Sequence, residues 1–364
     1  MRRTLVLTAL TALTALLGAL GGWSAALGAQ PAAKDARPTL DLYVIDTEGG
    51  QAVLARTPTG ESILLDAGFP GAGTFASTPG PPAQARDAQR ILAAARDARI
   101  DHIDYFISSH YHADHIGGVS ELAQLLPIRT FVDHAAPTAA ADSAVPGTAA
   151  LYQTYVALRA TGRHIAPKPG DRLPIKGVEV VVVAVDSAVL PRALPHAGGT
   201  NPGCASGVIP AQEPTENPRS LAVLLRYGRF RLLDPGDLTG APLHALVCPV
   251  NRLGRAEAYL VAHHGGADGG DPAVFAAIQP LVAITSNGPL KGAQAPTLET
   301  LRQLGAVDGW QLHATANPGA PNAPEERIAN LDQTTSAWLK LSAHADGSFT
   351  LTNGRTGWSK SYRR

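Results

Sequence analysis

The chain has 364 residues, 45% hydrophobic and 16% charged, which is enough apolar material for one large core or two smaller ones. Lys and Arg together number 30, as do Asp and Glu, so no bulk positive charge draws the chain to nucleic acid or to an anionic membrane. The 37 glycines and 29 prolines predict many turns and long loops around the core.

Met1-Arg2-Arg3 leads into an apolar run from Leu5 to Leu20, followed by small residues through Ala29. This is the pattern of a secretory signal peptide over residues 1–29, with Ala26 or Ala29 as the last residue removed. The run is short for a span of about 20 residues, and Gly18, Gly21 and Gly22 weaken it further. The expectation is an exported protein, periplasmic or secreted, with no stable membrane insertion after processing. Cys204 and Cys248 could pair in an oxidising compartment; they lack metal-site spacing.

From Leu40 the sequence reads as short strands with tight turns: Leu40 to Ile45, Ala52 to Arg56 and Ser62 to Asp66, the last two joined by Pro58-Thr59-Gly60. A Pro-rich loop from Phe69 to Pro82 precedes a helix from Gln84 to Arg99, which places Ile91, Leu92 and Ala95 on one face. The next strand, from Ile103, runs directly into His110. A helix from Ser120 to Leu126 and a short strand at Thr130 to Val132 follow. Residues 135–217 are less regular, with a helix near Leu151 to Ala160 and an apolar strand at Val178 to Val185. The Pro- and Gly-rich loop from Leu190 to Pro218 is long for a compact domain, and it reads as a cover over a site. Ser220 to Tyr227 and Arg229 to Asp234 form a hairpin about Gly228. Then come helices near Ala241 to Leu246, Ala273 to Ile278 and Thr297 to Leu304, with strands at Ala258 to Ala262 and Leu281 to Thr285 between them. Strands at Trp310 to His313, Ala337 to Leu341 and Ser348 to Thr352 end the chain. Strands and helices in two halves, with helices outside, suggest a layered α/β sandwich.

The densest chemistry lies in Ser108-Ser109-His110-Tyr111-His112-Ala113-Asp114-His115-Ile116-Gly117-Gly118. Imidazoles and a carboxylate are the donors that zinc and similar divalent ions prefer. A strand ending in a tight turn can present His110 and His112 on one side, and Asp114 and His115 towards a neighbouring point. That spacing suits two cations close together.

With this motif the sequence resembles the metallo-β-lactamase superfamily, whose hallmark is His-x-His-x-Asp-His. More narrowly, it resembles the hydrolase domain of DNA-uptake competence proteins and their free-standing exported relatives. The likeness includes Ile45-Asp-Thr-Glu-Gly-Gly-Gln-Ala, Ile63-Leu-Leu-Asp66-Ala-Gly68, the hairpin with Gly236-Asp237, and Val261-Ala-His263-His264-Gly265. It implies a four-layer αββα sandwich over residues 38–360, with 135–217 as an insert or active-site cover. It also implies that His110 and His112 bind one metal, Asp114 and His115 a second, and that Asp237 bridges them. His264, or its neighbour His263, completes the second site, and Asp234 is the near rival of Asp237. Asp66 orients a ligand histidine. Two departures stand out. No histidine precedes the hairpin at Glu216-Asn217-Pro218, which leaves Asn217, a water, or a distant histidine such as His134 or His196 to complete the first site. Ser286-Asn287-Gly288 is followed by Ala295-Pro296, without the His-Pro of the relatives.

The cofactors so implied are two divalent metal ions, zinc first, with manganese or iron as fits. The chemistry is hydrolysis by a metal-bridging hydroxide, with Asp114 and Asp237 as catalytic carboxylates and Asn287 and Lys291 as candidate anion contacts. No Gly-x-Ser-x-Gly elbow offers a serine nucleophile. A phosphodiester or phosphoester is the leading substrate class. An amide or ester, including a β-lactam or lactone, is the alternative, and a catalytically inactive metal- or ligand-binding module is the reading of another class. A small-molecule ester is favoured over nucleic acid by the charge balance.

Overall fold

The computed structural model describes residues 38–206 and 213–364; the expected signal peptide, residues 1–29, lies outside them. β1 (Leu40–Val44), β2 (Val53–Arg56) and β3 (Ser62–Leu65) form an antiparallel meander. The chain crosses through α1 (Arg86–Ala98) to β4 (Ile103–Ile107), which lies parallel to β3. Two short helices, α2 (Ala113–Ile116) and α3 (Val119–Leu122), lead to β5 (Ile128–Val132). Then α4 (Ala139–Ala144) and α5 (Thr148–Arg159) lead to β6 (Arg163–Ile165), and β4, β5 and β6 are mutually parallel neighbours.

The second sheet begins with β7 (Arg172–Leu173), β8 (Glu179–Val185) and its small partner β9 (Ala188–Val189). The hairpin of β10 (Ala222–Tyr227) and β11 (Phe230–Asp234) pairs with β8. Parallel crossovers follow: α6 (Gly240–Val247), β12 (Ala258–Leu260), α7 (Pro272–Ile278), β13 (Val282–Thr285), α8 (Ala295–Leu304), β14 (Asp308–His313) and β15 (Ile328–Asn330). The last strands, β16 (Leu339–Ala343), β17 (Phe349–Asn353) and β18 (Ser359–Tyr362), return to the first sheet beside β1. The sheet orders are β18-β17-β16-β1-β2-β3-β4-β5-β6 and β15-β14-β13-β12-β11-β10-β8-β7.

Side-chain alternation explains the layering, because successive residues of a strand face opposite sides. In β1, Leu42 and Val44 join Val180, Val182, Val223 and Leu225 in a core between the sheets. Their neighbours Tyr43 and Ile45 instead pack with Ile91, Ala95, Val119 and Tyr155, beneath α1, α3 and α5. On the far side, Val183, Leu224 and Leu233 pack with Leu243, Val274, Phe275 and Leu298 from α6, α7 and α8. The architecture is therefore the four-layer αββα sandwich: each sheet buries one face against the other sheet and one beneath helices.

The expected cover, residues 135–217, contributes strands to both sheets. It supplies β6 to the edge of the first sheet and the buried strand β8 to the second. Among the described residues, the loop after β9 carries only short 3-10 helices, and a Cys204–Cys248 disulfide ties it to the end of α6. Elements with little periodic signal, such as the two-residue β7 and the polar β18, are defined only by the neighbours they pair with. Among the described residues, no helix is long and apolar enough to cross a membrane.

Candidate metal centre

The parallel strands of both sheets end along one rim, and the site is built there. β4 is buried and delivers Ser108 to His112; α2 then turns the chain sharply, with the His115 and Ile116 amides donating to the His112 carbonyl at 3.1 Å. Gly117 is required at that turn, since a Cβ there would lie 2.2 Å from the Ala113 carbonyl oxygen and 2.3 Å from Pro70 Cδ. From the second sheet, β11 ends at Asp234, and Gly236 takes a left-handed φ of 57° to bring Asp237 inward. After β12, His263 and His264 both adopt left-handed conformations, φ 50° and 54°, which is rare for side-chain-bearing residues. Backbone bonds hold them: His263 N–H donates to Gly236 O at 3.2 Å, and Ala293 N–H donates to His264 O at 2.8 Å.

One ligand atom from each of Asp114, His115, Asp237 and His264 falls within 4.8 Å of all the others, and all four residues are buried. Asp237 Oδ2 lies 3.2 Å from His115 Nε2, 3.3 Å from His264 Nε2 and 3.8 Å from His110 Nε2. It thus stands between this group and the adjoining His110–His112 pair, whose Nε2 and Nδ1 are 2.9 Å apart. Asp114 Oδ2 faces His264 Nε2 at 3.2 Å and pairs with the Lys291 ammonium.

Supporting hydrogen bonds set which ring nitrogen points inward. Asp66 Oδ2 accepts from His115 Nδ1–H at 2.7 Å and from the Ser109 hydroxyl at 2.6 Å. With its proton committed to Asp66, Ser109 Oγ accepts from His110 Nδ1–H at 3.0 Å. His264 Nδ1–H donates to the Ser286 carbonyl at 3.1 Å. With Nδ1 engaged in this way, His110, His115 and His264 each turn Nε2 towards the cluster.

The cluster holds more negative charge and more polar atoms than its own hydrogen bonds satisfy. Burial, reinforced by the neighbouring His115 and His112, holds His110 far below the usual imidazole range, and burial brings His112 down to about 4. Burial opposes ionisation of Asp114 and Asp237, but Lys291 with His115, and His115 with His264 and His263, hold the two carboxyls well below their ordinary value. Burial likewise opposes charging of His115, yet Asp237, Asp114 and Asp66 outweigh it and raise that imidazole. His112 Nε2 and Asp237 Oδ1 are buried without a hydrogen-bond partner. Crowded lone pairs, ionised carboxylates and orphaned polar atoms fit divalent cations and fit little else.

The remaining candidates divide. His263 sits at the edge, its Nε2 3.9 Å from Asp237 Oδ2, with Nδ1–H donating to Asp268 Oδ1 at 2.8 Å; despite burial, Asp237 and Asp268 raise it to about 9. Asn217 is buried, with Nδ2 3.4 Å from His263 Nε2 and Oδ1 unpartnered. His134 is buried but belongs to another contact set. It packs on Tyr111 at 4.4 Å, donates from Nδ1 to Ala135 O at 2.9 Å, and turns Nε2 towards Glu216 at 3.6 Å. His196 is exposed and lines a surface cavity with Thr200, Arg231 and Asn251. Asn287 is not open to a substrate: its Nδ2 donates to Gly288 O and His313 O, each at 2.9 Å, and it is fully buried. Asp234 is not in the four-residue cluster; its Oδ1 accepts from Gln51 Nε2 at 3.3 Å and from Gly236 N–H at 3.0 Å. Sequence reasoning missed the parts played by Ser109 and Gln51; the only signal was their place beside recognised motifs.

Residues 45–213 match the family model described as the metallo-beta-lactamase superfamily. The fold is that of the metallo-β-lactamase superfamily. Its hallmark residues, His110 to His115, lie inside the matched span. Among solved structures, a metallo-β-lactamase from Cronobacter sakazakii is 20% identical over 54% of this chain, with a TM-score of 0.30, and the chain spans only 60% of that protein's length. The metallo-β-lactamase fold protein YhfI from Bacillus subtilis is 12% identical over 77% of this chain and 98% of its own, with a TM-score of 0.43. MEM-A1, a subclass B3 metallo-β-lactamase from a soil metagenome library, is 15% identical over 63% of this chain and 82% of its own, with a TM-score of 0.35. No curated protein matches the chain. The fold assignment stands on the layers, the topology and the family model rather than on these structures.

Proposed function

We propose that the protein is a binuclear metal-dependent hydrolase acting on a phosphoester or phosphodiester. The observation that carries this reading is the buried convergence of Asp114, His115, Asp237 and His264 beside His110 and His112. His110 and His112 would hold one cation, Asp114, His115 and His264 the other, and Asp237 would serve both. Bound divalent cations, zinc by preference, supply Lewis-acid polarisation and lower the pKa of water.

The chain's own groups do the rest. Asp66 and Ser109 keep the imidazoles in the tautomer that presents Nε2, and the surrounding burial keeps competing water out. Asp114 and Asp237, ionised and held from two different sheets, would orient the attacking water. The preference for a phosphoester over an amide is supported by the motifs that resemble the competence-type domains.

The test is turnover of bis-p-nitrophenyl phosphate and of a chromogenic cephalosporin by the purified, metal-loaded protein, with elemental analysis. Two ions per chain and diester turnover that His110→Ala and Asp237→Ala abolish are expected. Cephalosporin turnover alone would replace the phosphoester reading with amide hydrolysis. Metal content and activity unchanged in both variants would overturn the site. Export is part of the same reading: the Cys204–Cys248 bond supports an oxidising compartment. Recovery of a chain shortened near Ala29 outside the cytoplasm is the outcome to look for.

A further inference from the structure

Lys291 lies outside the donor set, in the loop between β13 and α8, yet its ammonium reaches the centre. Nζ donates to Gly49 O at 2.6 Å and pairs with Asp114 Oδ2, and the side chain keeps 29% of its exposure. The loop containing Gly49 is shaped around it. Gly49 has a φ of 104°, and a Cβ there would lie 2.7 Å from Lys291 Cβ, so only glycine admits the lysine stem at this approach. The cation is thus held at the rim between the buried cluster and solvent.

A flat apolar surface stands directly beside it. Phe75, in the loop between β3 and α1, is 59% exposed, and its ring centroid lies 5.5 Å from Lys291 Nζ. Its position is fixed from below by Phe69, edge-on at 4.9 Å. Phe69 is itself buried, and its N–H donates to the buried Asp87 carboxylate at 2.8 Å. An exposed phenyl ring on an anchored loop, against an ammonium that borders the reactive centre, has the form of a two-part recognition surface.

We infer that Lys291 and Phe75 together form the specificity subsite, selecting an anionic ester whose alcohol part is an aryl or similarly flat apolar group. This rests on the hydrolase reading above and adds the substrate class. With one N–H directed to Gly49 O and one to Asp114, the Lys291 ammonium has a third donor for a ligand oxyanion. A singly or doubly charged phosphoester or phosphonate gains a charge-assisted hydrogen bond there that a neutral ester lacks. The group on the ester oxygen then lies over the Phe75 ring.

Binding of phenylphosphonate and methylphosphonate to the full, metal-loaded chain by titration calorimetry reads the subsite without turnover. Lys291→Met is expected to weaken both phosphonates by roughly tenfold to a hundredfold, the worth of a hydrogen bond to a charged group, with metal content unchanged. Lys291→Arg retains most of the binding. Phe75→Ala is expected to weaken phenylphosphonate by about threefold to tenfold and leave methylphosphonate alone. Wild-type protein that binds neither phosphonate, unchanged affinity in Lys291→Met, loss of metal in that variant, or equal loss of both ligands in Phe75→Ala would each overturn the subsite. The two readings fail separately. Phosphonate discrimination without ester turnover sinks the hydrolase alone, whereas turnover with no such discrimination sinks the subsite alone.

Discussion

Asp66 and His115 meet at 2.7 Å, carboxylate Oδ2 to imidazole Nδ1, with both side chains fully buried. That contact turns a strand-end aspartate into the group that decides which nitrogen of His115 faces Asp114, Asp237 and His264. The same carboxylate holds Ser109, and through it His110. Asp66→Ala is therefore expected to lower metal affinity by roughly 10- to 100-fold, the usual effect of losing such a support. Competition against a chromogenic chelator measures it; unchanged affinity would show that ring orientation is set elsewhere.

Metal binding and stability should be linked, because the cluster unites residues from both sheets. Zinc added to chelator-stripped protein at about 100 times its dissociation constant should stabilise the fold by about 2.7 kcal/mol. The readout is the rise in melting temperature. It should shrink sharply in His264→Ala, and an equal rise in that variant would place the bound ion elsewhere.

Asp234 provides a pH prediction. Burial, with a smaller push from Asp66, raises its carboxyl from 3.8 to about 7, against the hydrogen bonds from Gly236 and Gln51. A raised folded pKa means that the folded state holds the proton more tightly. Its contribution is fully present below the unfolded value and is lost as pH climbs towards 7, at a cost on the order of 3–4 kcal/mol. In metal-free protein, Asp234→Asn should thus gain melting temperature relative to the wild type as pH rises from about 5 to about 8. A difference that stays flat with pH would refute the assignment.

Gly236 combines a φ of 57° with close packing, since a Cβ there would lie 2.6 Å from Ser109 Cβ. Gly236→Ala should cost roughly 2–4 kcal/mol in urea unfolding, from the left-handed backbone and the overpacking together. It should also reduce metal content, because Asp237 and Ser109 are both displaced.

The Cys204–Cys248 bond closes a segment with a sequence separation of 44. Cys204→Ser with Cys248→Ser should lower stability by about 2–4 kcal/mol in chemical denaturation. Metal content should hold, because the bond lies behind α6 and α7 rather than in the cluster. Loss of metal would instead show that the loop positions Asn217.

The layered α/β class and most of the strands and helices were legible in the sequence. Their signal is local: the alternation in Leu40 to Val44 and Val180 to Val185, and the helical spacing of Ile91 and Ala95. The hallmark was equally legible, because His110 to His115 lie within one turn of chain. Elements whose existence depends on a partner were not. β6, β15 and β18 are short and carry little apolar period, so only the sheet edge they join defines them. Asn287 had the look of a substrate contact, but its amide satisfies two carbonyls that the sequence could not place nearby.

The sequence by itself thus determined the strand and helix pattern, the dense donor motif and the absence of a bulk basic charge. Tertiary structure decided between Asp234 and Asp237, because only Asp237 is brought within 4.8 Å of the ligand atoms of Asp114, His115 and His264. It sent His134 to Glu216, and brought Lys291 and Phe75 from distant loops to the same rim. Spacing along the chain can specify a motif; convergence of residues hundreds of positions apart depends on how two sheets pack, and packing is a property of the whole core.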